Sequence, residues 1–196
     1  LGLPLLAVVG YRLDFKKTLS LRMPNPAAWP ATLIGAPAVL LVVATLMTFV
    51  GVEEESLEDL GKEIGKLVGE IGWPLLILLP PLVEEVFFRG FLLSGLRNGM
   101  RTASAVLIVA ILFAVFHQLP AKYLPTGILG LWLGYLVVST GSLYPAILAH
   151  LVNNALAFRL GDVEIPRWGA LPALVVVAAT IWLLERIRRA RTPATG

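Results

Sequence analysis

Residues 78–93 read "LLPPLVEEVFFRGFLL". Two adjacent glutamates, Glu84 and Glu85, and one arginine, Arg89, interrupt an otherwise apolar stretch. It belongs to a longer run, Trp73–Leu96, long enough to cross a bilayer. An ionised side chain at mid-membrane costs roughly 2.5–3.5 kcal/mol on the insertion scale, so such a group reads as functional unless it is compensated. Glu85 and Arg89 stand at i and i+4, on one helical face, and can pair. Glu84 is turned about 100° away and lacks that partner. Pro80 and Pro81 predict a broken helix whose new first turn begins just before Glu84. A carboxylate steadied by that helix terminus and crowded by Glu85 could serve as a general base. The competing reading is a structural ion-pair cluster between helices, which leaves one carboxylate over.

The rest of the chain agrees with a membrane setting. Of its 196 residues, 57% are hydrophobic and 15% charged, against about 25% charged in soluble domains, and mean hydropathy is +0.82. Cysteine is absent, which excludes a disulfide framework, thiolate metal sites and a cysteine nucleophile. No basic stripe interleaved with aromatics is present, so nucleic acid is not an expected partner. The opening "LGLPLLAVVG" reads as the tail of a hydrophobic helix, and a longer parent chain is expected. It lacks the pattern of a signal peptide.

The expected fold class is all-α: a polytopic transmembrane helical bundle of about six spans, with a truncated N-terminal helix and one amphipathic helix. The spans are Ala31–Val52, Trp73–Leu96, Ala103–Leu119, Leu124–Thr140, Leu143–Phe158 and Gly169–Leu184. Several are short, which favours a compact bundle with a polar centre over separate lipid-bathed helices. The amphipathic helix is Glu53–Gly72, where Leu57, Leu60, Ile64, Leu67 and Ile71 oppose Glu58, Lys62, Glu63, Lys66 and Glu70. It reads equally as a membrane-surface helix and as a solvated helix packed on the bundle. The domain organisation expected is a helix tail and basic loop over 1–30, the bundle over 31–184 with its motif core at 73–160, and a basic tail over 185–196. Gly130 and Gly134 in "GLWLG" form a GxxxG pair, read as a close helix contact and nothing more.

Lysine and arginine set the orientation. Arg12, Lys16, Lys17, Arg22, Arg97, Arg101, Arg186, Arg188, Arg189 and Arg191 fall on one side, and Lys62, Lys66, Lys122, Arg159 and Arg167 on the other. The first side, with the C-terminus, is therefore expected to be cytoplasmic. This creates a geometric tension. His117 falls near the non-cytoplasmic end of its span, whereas Glu84 and His150 fall near mid-depth. A shared site requires the loop Gln118–Pro125 to dip inward, or span boundaries that differ by a turn.

"LFAVFHQ" (112–118) puts Phe113 and His117 at i and i+4, and "LYPAILAHLVNNALAF" (143–158) does the same for His150 and Asn154, with Asn153 one step aside. A lone histidine in a bundle is usually a satisfied hydrogen-bonding residue. Two histidines, two glutamates and an asparagine on three spans are harder to explain as packing. Together they could hydrolyse an amide. Glu84 could take a proton from water that His117 holds and polarises, and His150 and Asn154 could donate to the developing oxyanion. Phe113 could fill the wall or fix the imidazole. Alternatively, Glu84, His117 and His150 could ligate zinc and leave a position for water, although no HExxH motif favours that reading.

The three segments, EExxxR at Glu84–Arg89, FxxxH at Phe113–His117 and HxxxN at His150–Asn154, resemble the CPBP family of intramembrane proteases. That family includes the type II CAAX prenyl endopeptidase and bacterial abortive-infection or bacteriocin-processing proteins. "FRG" in the first motif and "TGSLYPAILAH" before the third are similar to bacterial members, and the resemblance spans about residues 73–160. It implies a glutamate-dependent endopeptidase in the bilayer acting on a peptide or protein substrate. Glu84 would be the base, His117 a helper in activating water, His150 and Asn154 the oxyanion hole, and Glu85 and Arg89 supports. No cofactor is expected, with zinc as the alternative, since the family was long described as metalloproteases. A bacterial inner-membrane location is expected. The basic stretch Leu13–Arg22 is similar to members fused behind an ABC-type permease, a further expected partner. The rival classes are a non-proteolytic immunity or partner-binding protein and a proton-coupled transporter relaying through Glu84 and His117. A transporter would show paired broken helices in an inverted repeat, and only one break is evident.

Overall fold

The computed structural model describes residues 14–50, 69, 77–160 and 166–191. Among these every regular element is helical. The elements are α1 (Phe15–Thr18), α2 (Ala28–Val50), α3 (77–97), α4 (Thr102–Phe116), α5 (Pro120–Thr140), α6 (Tyr144–Leu160), a 3₁₀ turn (Arg167–Gly169) and α7 (Ala170–Arg191). The expected helix tail at 1–10 lies outside the described residues, as does the amphipathic helix at Glu53–Gly72 except for Gly69.

Among the described residues, three helices are long and apolar enough to cross a membrane: Ala28–Val50, Pro120–Thr140 and Ala170–Ala190. Thr102–Phe116 is apolar but shorter, and α6 has 17 residues. Leu107, Ile111, Leu112, Val115 and Phe116 stand exposed along α4, as do Leu171, Leu174, Val175 and Trp182 along α7. Apolar side chains in such continuous bands suit lipid rather than water. The chain is an integral membrane protein.

Pro80 and Pro81 do not break the helix. Residues 77–85 run as α-helix through both prolines, and the irregularity comes afterwards, where Val86–Leu92 is π-helical before Leu93–Arg97 resumes the α form. Glu84 therefore lies within a helix and not at a new first turn, and the expected support from free N–H groups there falls away. A π segment bonds i to i+5 and widens the turn, and such segments occur frequently at functional sites.

Two other boundaries differ by about a turn. α4 ends at Phe116, with His117 as its C-cap, where the pattern suggested Leu119. α5 begins at Pro120, where it suggested Leu124. Pro120 starts the helix because its fixed φ suits N1 and its missing N–H is no loss there. The intervening turn is tight, with Gln118 at φ 56°.

α4 packs along α5, while α2 packs along α6 and α7. An added Cβ at Gly130 would lie 3.1 Å from the Ala110 Cα, and one at Gly134 would lie 3.0 Å from Val106 Cγ1, so the GxxxG pair lets α4 and α5 close together. The α5–α6 reversal is fixed locally. Gly141 caps α5 in the left-handed region (φ 64°), and the Ser142 N–H donates to the Thr140 hydroxyl at 3.2 Å. The N-terminal segment braces this corner. Leu143 N–H donates to Ser20 O at 3.1 Å, and the Arg22 guanidinium donates to Gly141 O.

Candidate active site

The three motif segments meet at one place. α3 carries Glu84, Glu85 and Arg89, α4 carries Phe113 with His117 at its end, and α6 carries His150 and Asn154. A cavity of about 450 Å³ is lined by Glu84, His117, His150 and Asn154 together, within the roughly 300–1,000 Å³ usual for small-ligand sites. Its apolar wall includes Val39, Leu40 and Val43 from α2, Leu129 from α5 and Phe158 from α6. The displaced helix boundaries resolve the depth tension, because residues between His117 and Thr126 form one side of the same cavity.

Behind the cavity lies a sealed polar cluster. Arg89 Nη1 donates to Glu85 Oε1 at 2.7 Å, with both side chains fully buried. Arg89 Nη2 donates to the Gly130 carbonyl at 3.2 Å. The GxxxG glycine is thus more than a packing contact, because its carbonyl, brought close by the helix approach, receives the buried guanidinium. The guanidinium also lies 4.2 Å from the centre of the buried Phe113 ring, a cation–π contact. Phe113 in turn meets His117 edge to face at 4.8 Å and His150 at 5.8 Å.

Both histidines are held in defined tautomers. His117 Nδ1 lies 2.8 Å from the Phe113 carbonyl. A carbonyl only accepts, so Nδ1 carries the hydrogen and Nε2 is left for the cavity. Phe113 therefore fixes the imidazole twice, through its carbonyl and through its ring. His150 Nδ1 lies 2.9 Å from Glu85 Oε1, the oxygen that Arg89 also holds, so here too the hydrogen sits on Nδ1. His150 Nε2 faces Glu84 Oε2 at 3.9 Å. The histidine stands between the two glutamates, one at each ring nitrogen.

That arrangement extends the role expected for Glu85, whose carboxylate holds His150 as well as Arg89. It also supplies a hydrogen-bonding partner that the sequence reading lacked, since the His150 ring stands between the two carboxylates. Asn153, read as one step aside, lines the cavity beside Asn154, and so does Lys122, which the sequence reading used only for orientation. The signal for both was available: Asn153 is a second amide within an apolar span, and Lys122 a cation five residues after His117.

Zinc has a weaker case. Among the described residues no three His, Cys, Asp or Glu side chains are gathered so as to hold a metal ion. As placed, Glu84, His117 and His150 do not form a zinc-binding set, and no chemical step is derived through a metal.

Residues 70–156 match the family described as type II CAAX prenyl endopeptidase Rce1-like. No curated protein and no solved structure matches the chain. The matched segment contains every residue of the three motifs, from Glu84 to Asn154, together with the cluster behind the cavity. That match supports the resemblance of the segment to the CPBP family of CAAX-type membrane proteases.

Proposed function

We propose that the chain is an intramembrane endopeptidase in which Glu84 activates water for attack on a peptide carbonyl. The observation that carries this reading is the single cavity shared by Glu84, His117, His150 and Asn154. One hydrogen of the water goes to the Glu84 carboxylate and the other points to Nε2 of His117, the nitrogen its Phe113 contact leaves open. Both hydrogens are then accounted for, and an oxygen lone pair is free to attack. As the hydroxide adds, Glu84 holds the proton, and His150 Nε2 and the Asn154 amide donate to the oxyanion. Glu84 then passes its proton to the departing amine as the C–N bond breaks.

The hydrogen bond from His150 Nδ1 to Glu85 adds a condition. With Nδ1 already protonated, Nε2 can donate only if His150 is an imidazolium. The competent state therefore holds Glu84 and Glu85 ionised, with Arg89 and His150 cationic. Two negative and two positive groups leave the centre neutral, which offsets the cost of burying each charge alone. The base must be unprotonated while the oxyanion donor is protonated.

The test is cleavage of a peptide library by the purified chain in detergent, read by mass spectrometry, with Glu84→Ala as control and with exhaustive chelation in parallel. Glu84-dependent products that persist in EDTA and phenanthroline are expected. Activity lost to chelation and restored by one added metal would replace the direct-base mechanism with a metal-dependent one. Absence of products from a folded, monodisperse chain would favour the non-proteolytic partner-binding reading.

A further inference from the structure

The segment before α2 touches two of the helices that carry the motifs, away from the cavity. Asp14 caps α1 by accepting the Lys17 N–H at 3.1 Å, and the chain turns at Ser20 (φ 54°). Leu19 is 1% exposed. It lies against Gly90, the residue after Arg89 in the π-helical stretch. A Cβ added at Gly90 would come 3.0 Å from Leu19 Cδ2 and 3.6 Å from Leu143 Cδ2. The segment, α3 and the start of α6 therefore meet at one point.

Backbone contacts complete this joint. The Leu143 carbonyl opens α6 by accepting the Ile147 N–H at 3.1 Å, and the Leu143 N–H donates to Ser20 O at 3.1 Å. The Arg22 Nε–H donates to the Gly141 carbonyl. Ser142 and Leu143 are fully buried, and a buried backbone group without a partner is costly. From this turn α6 runs through Ala146 and Ala149, both fully buried, to His150 about two helical turns later. There Nδ1 of His150 lies 2.9 Å from Glu85 Oε1.

We infer that residues 14–22 form a positioning strap, in which Leu19 and Arg22 set how the His150 helix lies against the glutamate helix. For its effect on turnover the inference rests on the proposed peptidase reading. Neither residue is among those described as lining the cavity, so both act through α6. The strap holds that helix at its start, and the Glu85 contact holds it at His150. Released at its start, α6 can pivot about His150, and Asn154, one turn further on, swings with it. A misplacement of about 1 Å caused far from the chemistry can cost on the order of 10²-fold in rate. The loss should fall on kcat, because the oxyanion forms only after substrate is bound.

The experiment reads geometry and turnover separately. The chain has no cysteine, so thiols introduced at Gly95 on α3 and Arg159 on α6, both exposed, take spin labels selectively. Pulsed electron resonance on the full chain in detergent then reports the α3–α6 distance without substrate. Arg22→Met removes the donor and keeps the side-chain length. It should broaden the distance distribution and lower kcat about tenfold, with KM within about twofold. Arg22→Gln should restore both, because its amide nitrogen stands as many bonds from Cα as the arginine Nε. Leu19→Ala should broaden the same distribution, and Lys16→Gln, at an exposed position of the strap, should change neither reading. An unchanged distribution in both Arg22→Met and Leu19→Ala overturns the inference, as does a broadened one with kcat intact. Arg22→Gln behaving like Arg22→Met also overturns it, and would assign the role of Arg22 to its charge at the membrane surface. Broadening that Arg22→Gln reverses, in a chain that cleaves no peptide, would leave the strap standing and count against the peptidase reading.

Discussion

Glu84 and Glu85 are consecutive residues on one helix, yet they stand in different surroundings. The Glu85 side chain is fully buried and shares one oxygen between Arg89 at 2.7 Å and His150 at 2.9 Å. The Glu84 side chain keeps 18% of its surface and opens into the cavity, 3.9 Å from the far side of the same histidine. On the proposed mechanism, identical chemistry takes two jobs according to what packs against each face. α4 and α5 cover the Glu85 face with Phe113 and the Gly130 carbonyl. The Glu84 face meets the cavity that α2 and α6 wall off. A carboxylate held by both Arg89 and the His150 ring cannot readily accept a proton from water, whereas one at the edge of a cavity can. Position in the packing separates a sealed carboxylate from an open one.

Substitution of each glutamate probes that division most strongly. Glu84→Gln should retain the fold and lower turnover by about 10²–10⁴-fold, the usual contribution of a general base, measured as kcat beside a melting curve in the same detergent. Glu85→Gln removes the charge that Arg89 and His150 share. It should cost about 3–5 kcal/mol of stability, the penalty for leaving a buried charge without its partner, with activity falling as His150 loses its anchor. The measurement is thermal unfolding together with activity at a temperature where the variant is still folded. Near-normal turnover in Glu84→Gln beside a folded but inactive Glu85→Gln would reverse the two roles. Normal cleavage by both would make the charges purely structural.

A smaller effect tests how the sealed side is built. Gly130→Ala places a methyl 3.1 Å from the Ala110 Cα. Since backbone cannot give way cheaply, a loss of about 1–3 kcal/mol is expected. Moving α5 away would also loosen the Arg89 contact at Gly130 O, so activity should fall with stability. Gly95→Ala is the control and the smallest change. No neighbour lies within 4 Å of a Cβ there, so helix propensity dominates, and a gain of up to about 1 kcal/mol with unchanged turnover is expected. Equal effects at Gly130 and Gly95 would mean that the close approach of α4 to α5 does not support the site.

Much of the site could be read from the sequence because its signals are local. Glu85 and Arg89, Phe113 and His117, and His150 and Asn154 are each one helical turn apart, and ionisable or amide groups inside apolar runs stand out by cost alone. Helix existence was legible for the same reason. The break at Pro80–Pro81 was misread because proline's usual effect in a helix was taken to decide the local form, whereas the helix runs through both and departs from α geometry only at Val86. Lys122 counts in the sequence only towards orientation. Nothing local shows that a tight turn brings it to the wall of the cavity that Glu84 also lines.

The sequence alone determined that this is a helical membrane protein and which residues are too costly to be there without purpose, since both follow from composition and from spacing within single helices. Only the tertiary structure decided which carboxylate is sealed and which is open, and that His150 lies between them. It also decided that Gly130 contributes a carbonyl as well as a contact. These are relations between residues 41 and 65 positions apart, set by how closely helices approach and which faces they cover, and no periodicity within one helix encodes them.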